Sequence, residues 1–179
     1  MPDSELEPTV ESKMVYQGRI VNLRVDTVRL PSGRLTTREI AEHSESVCMV
    51  PLDEQGNVLM VRQFRKPAAA ELLEVPAGGV ETGEDPQTAA LRELQEEIGF
   101  TAGTLRQLAG FWVTPGWSTE YMHVYLATDL QPASLSPDYD ENISVERVPL
   151  SRVNEMIQEG QINDGKSIAA LLMALNLEN

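Results

Sequence analysis

The segment GGVETGEDPQTAALRELQEEIGF, from Gly78 to Phe100, constrains the fold of this chain more than any other part of it. Asp85 suits a helix N-cap, Pro86 the first helical residue and Gly99 the position past the end, which predicts a helix from about Pro86 to Ile98. At about 100° per residue, Glu93, Glu96 and Glu97 share one face of it, with Ala89 among them. Leu91, Leu94 and Ile98 gather on the other side, as in a helix packed on a sheet, so the carboxylates are expected to point away from the core. Gly78, Gly79 and Gly83 let the backbone turn sharply and approach a ligand closely just before the helix.

Like charges at these spacings cost an isolated helix a few tenths of a kcal/mol each, roughly, so a cation is expected to offset them. Oxygen donors without His or Cys favour hard ions, Mg²⁺ or Mn²⁺, which retain waters and bridge to substrate phosphates. A solvated acidic helix face is the plain alternative for three glutamates in an acidic chain.

Around this module the chain reads as a mixture of strands and helices. Val15 to His43 alternates with period two, as at Val21, Leu23 and Val25, and turns at Pro31-Ser32-Gly33, which predicts a small antiparallel hairpin or sheet. Ser46 to Leu52 and Val58 to Phe64 read as a second pair of strands joined by a turn at Asp53 to Asn57. Leu105 to Thr114 and Glu120 to Ala127 are predicted strands separated by Pro115-Gly116, and an acidic loop follows at Pro137 to Asn142. Two helices close the chain, at about Arg152 to Glu159 behind a Ser151 cap and about Ser167 to Leu177. These elements predict an α/β fold with a mixed sheet flanked by helices, with residues 1–43 as a flexible start and small β appendage and 44–179 as the main domain.

Composition removes several classes of function. Fourteen basic against 28 acidic residues give a net charge of -14, which repels nucleic acid at long range. A small phosphorylated substrate remains compatible if local cations receive it. Cys48, the single cysteine, sits in an apolar run and is expected in a buried strand. The first dozen residues, MPDSELEPTVES, are polar and acidic, expected to be mobile and unlike a secretory signal. The longest apolar run, Ile168 to Leu175, is too short to cross a bilayer, and a cytoplasmic enzyme is expected, with no membrane partner.

The spacing of the central segment, Gly78, five residues, Glu84, seven residues, then Arg92-Glu93-Leu94-Gln95-Glu96-Glu97-Ile98-Gly99-Phe100, resembles the whole Nudix signature without a departure. This resemblance implies a Nudix-type mixed-sheet α/β/α sandwich that carries a small N-terminal antiparallel β-sheet. It implies a metal-dependent hydrolase of diphosphate linkages, with Glu93, Glu96, Glu97 and the Ala77 carbonyl as metal ligands and Glu93 and Glu97 in the catalytic set. Arg92 would orient a glutamate, a structural salt bridge and a direct substrate contact both remaining open for it. Glu84 would be structural or auxiliary, and Gly78 structural.

Outside the box, Glu74-Val75-Pro76-Ala77-Gly78, Val61-Arg62-Gln63-Phe64-Arg65, Arg38-Glu39-Ile40-Ala41-Glu42-His43 and Thr114-Pro115-Gly116 resemble the ADP-ribose pyrophosphatase branch. That branch implies a nucleoside diphosphate substrate and a homodimer with exchanged N-terminal sheets. It makes Arg65, Arg38, Pro115 and Gly116 substrate-contacting candidates, Glu81 an accessory metal residue and Glu141, in the acidic loop, a catalytic carboxylate. A surface charge for Arg65 and solvated loop carboxylates for Glu81 and Glu141 are the alternatives. For Trp112 and Trp117 core packing is favoured over an aromatic face beside a base, and His43 and His123 are read as structural. The competing functions are hydrolysis of another nucleotide, such as a dinucleotide or an oxidised nucleoside triphosphate, a non-catalytic nucleotide sensor, and an acidic interaction module.

Overall fold

The structure is a computed structural model and describes residues 6–136 and 142–177. Contacts divide the chain into two compact units, Met1–Glu45 with Trp112–Tyr121, and Ser46–Phe111 with Met122–Asn179.

The first unit is built on an antiparallel sheet of β1 (Thr9–Gln17), β2 (Asn22–Arg29) and β3 (Leu35–Glu42), in that order. The β2–β3 turn falls at Pro31-Ser32-Gly33, where Gly33 takes φ 82° and donates its N–H to the Leu30 carbonyl at 2.8 Å. The expected dozen mobile residues at the start are a correction. The chain is already in β1 at Thr9, because backbone pairing with β2 orders a segment whose side chains are mostly exposed. Residues 113–119 are tied to β3 by Ala41 N–H to the Trp117 carbonyl at 2.8 Å and Thr119 N–H to the Ala41 carbonyl at 3.0 Å.

The second unit holds two sheets. One is ordered β10 (Ile143–Pro149), β5 (Asn57–Arg65), β6 (Ala70–Glu74). The other is β7 (Ala77–Gly79), β4 (Ser46–Pro51), β9 (Tyr121–Pro132), β8 (Phe100–Trp112), with β4 and β9 parallel. β4 and β5 are not a paired hairpin, contrary to the sequence expectation. Beyond one bridge, Leu52 to Val58, they part into different sheets, each strand being apolar on both faces. Asp53 shapes the turn between them by accepting the N–H groups of Gln55 at 3.0 Å and Asn57 at 2.8 Å.

Alternation along β4 and β5 produces two cores. Val47, Met49, Leu59 and Val61 pack with Ala89, Ala90, Leu94 and Ile98 of the segment around α1 (Pro86–Glu97). Cys48, Val50, Val58 and Met60 pack with residues of α2 (Val153–Gln158) and α3 (Gly165–Leu175). Full burial of each large apolar side chain contributes about 1.5–3 kcal/mol relative to exposure. The result is the α/β/α sandwich expected, with its separate N-terminal antiparallel sheet. Cys48 is fully buried, and burial pushes its thiol pKa up to about 12. The cap of α2 differs from expectation: a short 3₁₀ turn, Leu150–Arg152, leads into it, and Ser151 makes no capping bond. Asp164 caps α3 and starts it before Ser167.

Candidate active site

α1 begins as its sequence dictates. The Asp85 carboxylate accepts the N–H groups of Gln87 at 3.0 Å and Thr88 at 3.4 Å, Pro86 follows at the first helical position, and Gly99 adopts φ 74° past the end. Such a cap is worth about 1 kcal/mol. Ala89, Ala90 and Leu94 are fully buried, whereas Leu91 is only half-buried and lies outside the core.

The box carboxylates do not point into open solvent. Glu93 is 9% and Glu97 7% exposed, which overturns the exposed acidic face drawn from the helix alone. β7 covers them. It pairs antiparallel with β4 through Ala77, Gly78 and Gly79, and the Ala77 N–H donates to Glu97 Oε2 at 3.0 Å. A Cβ on Gly78 would lie 2.0 Å from the Glu93 carboxyl, so only glycine allows this approach of backbone to carboxylate.

Arg92 gathers the remaining charge. Its Nε and Nη2 donate to the two oxygens of Glu84 at 3.1 and 3.0 Å, its Nη1 to Glu93 at 2.6 Å and Glu96 at 3.0 Å, and its Nη2 also to the Gly79 carbonyl at 2.9 Å. The hydrogen bond to Glu84 leads the causes that raise the guanidinium pKa. In return Arg92 holds the Glu84 carboxyl below its ordinary range, against partial burial and with help from the Glu81 N–H. The glycine loop is thereby closed onto the helix, with Glu81 itself exposed. Glu93 and Glu96 rest on Arg92 and Glu97 on the Ala77 amide, and among the described residues no three Asp, Glu, His or Cys side chains are grouped as a ready metal cage.

Arg65 ends β5, and Glu97 is one of the charges that raise its pKa, after a leading hydrogen bond to Glu74 and against the opposing effect of burial. Its Nε and Nη2 donate to the two oxygens of Glu74 at 2.9 and 2.8 Å. Glu74 is buried at the end of β6 and also accepts from Lys166. Burial pushes the Glu74 pKa up, and the bonds from Arg65 and Lys166 outweigh it and leave the carboxyl below its ordinary range. Sequence reasoning quoted Glu74 without giving it a role and passed over Lys166. The available signal was an acid ending an otherwise apolar strand, just before Val75-Pro76.

Within the other unit, Arg38, Pro115 and Gly116 line one cleft of about 500 Å³ together with Trp112, Trp117 and Glu7. Arg38 forks onto Glu7, Nε and Nη2 donating at 3.0 and 2.8 Å. The tryptophans are not core residues as expected. Trp112 is 43% and Trp117 58% exposed, because Trp112 stands where β8 ends, edge-on to Tyr121 with ring centres 5.1 Å apart, and Trp117 sits in the turn closed by its N–H to the Thr114 carbonyl. His43 bonds the Ser44 carbonyl through Nδ1 and Thr119 through its backbone, a structural role. Glu141 lies outside the described residues.

Known proteins are similar to this chain. The NUDIX domain family model matches residues 42–171. The chain belongs to the Nudix family. A second family model, the nucleoside diphosphate sugar hydrolase N-terminal domain, matches residues 7–40 and so accounts for the strands ahead of the Nudix part. An ADP-ribose pyrophosphatase of Bacillus subtilis (strain 168) is 35% identical, with 92% of this chain and 90% of that protein covered. One of Mycobacterium tuberculosis (strain ATCC 25618 / H37Rv) is 36% identical over 92% of this chain and 81% of its own length. The methanol dehydrogenase activator of Bacillus methanolicus is 35% identical with the same coverage as the first. A crystal structure of an ADP compounds hydrolase superposes with a TM-score of 0.88 at 23% identity, covering 99% of this chain and 96% of that one, which establishes the shared Nudix fold. Nudix hydrolases depend on divalent metal, and the oxygen-only donors of α1 and β7 suit a hard cation of that kind. No helix among the described residues is long and apolar enough to cross a membrane.

Proposed function

We propose that this Nudix hydrolase cleaves the diphosphate linkage of ADP-ribose, giving AMP and ribose 5-phosphate. The observation that carries the proposal is the enclosure of Glu93 and Glu97 beneath the Ala77–Gly79 backbone, where a merely solvated acidic face would leave them in water. Relatives named ADP-ribose pyrophosphatase, at 35% and 36% identity over 92% of the chain, support the choice of substrate.

In this reading Glu93, Glu96, Glu97 and the Ala77 carbonyl hold magnesium, with Glu81 as an accessory ligand and manganese as a substitute. The absent Cβ at Gly78 and the all-oxygen donor set support the fit. The cation, when bound, neutralises the diphosphate and lowers the pKa of an attacking water. Arg92 orients Glu93 and Glu96, and Glu84 fixes Arg92. Arg65 receives a phosphate, Arg38 with Pro115 and Gly116 contacts the remainder of the substrate, and Glu141 assists the water as base. Such a nucleotide substrate and magnesium are both met in the cytoplasm.

Comparing kcat/KM for ADP-ribose, ATP and oxidised dGTP, with products separated by chromatography, tests the substrate. ADP-ribose is expected to be preferred and to yield the two monophosphates. A preference of about tenfold or more for a triphosphate would move the chain to another Nudix substrate.

We further propose a boundary near Ser44 between an N-terminal sheet and the catalytic domain, and a homodimer formed through exchanged sheets. The two family models meeting at residues 40 and 42 support the first. Exposed Val10, Met14, Val15, Tyr16 and Ile20 on and after β1 support the second. Analytical ultracentrifugation should give twice the 19.8 kDa chain mass, and a Val15→Lys, Tyr16→Lys variant should sediment at the monomer mass.

A further inference from the structure

Three elements of the second unit meet at the Glu74 carboxylate. β5 brings Arg65, β6 ends on Glu74, and the first turn of α3 delivers Lys166. Lys166 bonds Glu74 and, at 2.8 Å, also Asp164. Asp164 accepts the Ser167 hydroxyl at 2.6 Å and the Ser167 N–H at 3.0 Å, and the same hydroxyl accepts the Val75 N–H at 2.8 Å. The start of α3 is thereby fastened to the backbone two residues before Ala77.

Arg65 alone engages both oxygens of Glu74, and Lys166 adds a second cation there while also bonding Asp164. Arg65 commits Nε and Nη2 to Glu74, while Nη1 makes no hydrogen bond among the described residues and the side chain stays 38% exposed. A phosphate arriving at Nη1 draws on the same delocalised charge that stabilises Glu74. If Arg65 were the only counter-ion, its movement toward substrate would strand a carboxylate that is 1% exposed, a heavily penalised state. Lys166 removes that conflict, because Glu74 keeps a positive partner while Arg65 shares its charge. Arg65 and Lys166 together balance Glu74 and Asp164.

We propose that Lys166 is a positioning residue which, by neutralising buried Glu74 from α3, pins the Arg65 guanidinium with Nη1 turned toward the substrate's diphosphate. The inference rests on Arg65 being the phosphate-binding arginine of the proposed function.

The test is a double-mutant cycle of Lys166→Met and Arg65→Ala, read by the Kd of the non-hydrolysable α,β-methylene analogue of ADP-ribose in magnesium, and by kcat and KM for ADP-ribose. Lys166→Met is expected to raise Kd and KM about tenfold with kcat changed less than about threefold, and to add nothing once Arg65 is alanine. Lys166→Arg, which keeps the charge, is expected to return both constants to within about threefold of wild type. Should Lys166→Met fail to melt cooperatively, Lys166→Gln replaces it in the cycle. An equal effect of Lys166→Met in the Arg65→Ala background, or a lowered Tm and kcat with KM untouched, would overturn the proposal by marking Lys166 as independent of Arg65. The analogue separates the two readings. Coupled binding without turnover of ADP-ribose would remove the hydrolase assignment and keep the clamp, and uncoupled binding with normal turnover would do the reverse.

Discussion

Arg92, on the box helix, and Arg65, at the end of β5, each fork onto a glutamate, but they differ in what is left over. Arg92 makes five hydrogen bonds to four residues, and its side chain is 22% exposed. Arg65 makes two bonds to one residue and is 38% exposed. A guanidinium with every edge engaged can shape a loop and orient carboxylates, yet it has little to offer a substrate. One held along a single edge is both fixed and available. For Arg92 the geometry supports the structural reading, and for Arg65 it supports the substrate contact proposed above.

The largest effect should come from the buried box carboxylates. Glu97→Gln is expected to lower kcat by about 10²-fold or more with the fold retained, since the amide can still accept the Ala77 N–H that Glu97 receives. Glu93→Gln should behave alike, and the two losses should not add if both serve one cluster. Full activity of either variant at saturating magnesium would break the comparison at its base. Gly78→Ala is the next in size. Its Cβ would press on the Glu93 carboxyl at 2.0 Å, so Glu93 must leave Arg92, and a loss of activity with a Tm lowered by several degrees is expected. An alanine variant with wild-type kcat and Tm would contradict the close approach.

How much of this was legible in the sequence depended on how local the cause was. The helix from Pro86, its Asp85 cap and the Gly99 stop are written in adjacent residues, and they appear where expected. β6 and β7 are short and take their shape from pairing with β5 and β4, which no window of residues around Ala77 reveals. The same gap explains the error over exposure. A helical wheel orders the sides of α1 but carries no information about β7, which covers Glu93 and Glu97. β4 and β5 read as a hairpin because a turn-like segment joins them, but each is apolar on both faces, and periodicity then says nothing about which sheet a strand joins. For Trp112 and Trp117 the sequence favours core packing, while their position at a strand end and in a turn leaves them on a cleft. Resemblance points to Arg65, but Lys166, which shares Glu74 with it, lies about a hundred residues further along, beyond any local signal.

Exchanging the arginines' fates sharpens the comparison. Arg65→Ala is expected to raise KM for ADP-ribose about tenfold or more while the melting temperature falls only modestly. Arg92→Ala should show the converse weighting, a loss of about 1–3 kcal/mol in stability from stranded carboxylates, with kcat falling more than KM rises. Thermal melts and steady-state kinetics on both variants check this, and identical profiles would erase the distinction.

The smallest effect is on pH dependence. Glu74, Asp164 and Glu84 all have folded-state pKa values held below their ordinary ones. A depressed carboxyl contributes stability that is complete above its unfolded value and lost as pH falls through the folded one. Tm should therefore stay level from pH 7 to about 5 and drop below about 4, and a Tm that rises on acidification would contradict the ion pairs around both arginines.

The most direct measurement of the central claim is the reaction itself. Incubating the protein with ADP-ribose and magnesium, then resolving the products by chromatography, should give AMP and ribose 5-phosphate in equal amounts, with turnover stopped by EDTA and restored by excess magnesium. Intact ADP-ribose after prolonged incubation with magnesium or manganese, in a sample that melts cooperatively, would contradict it.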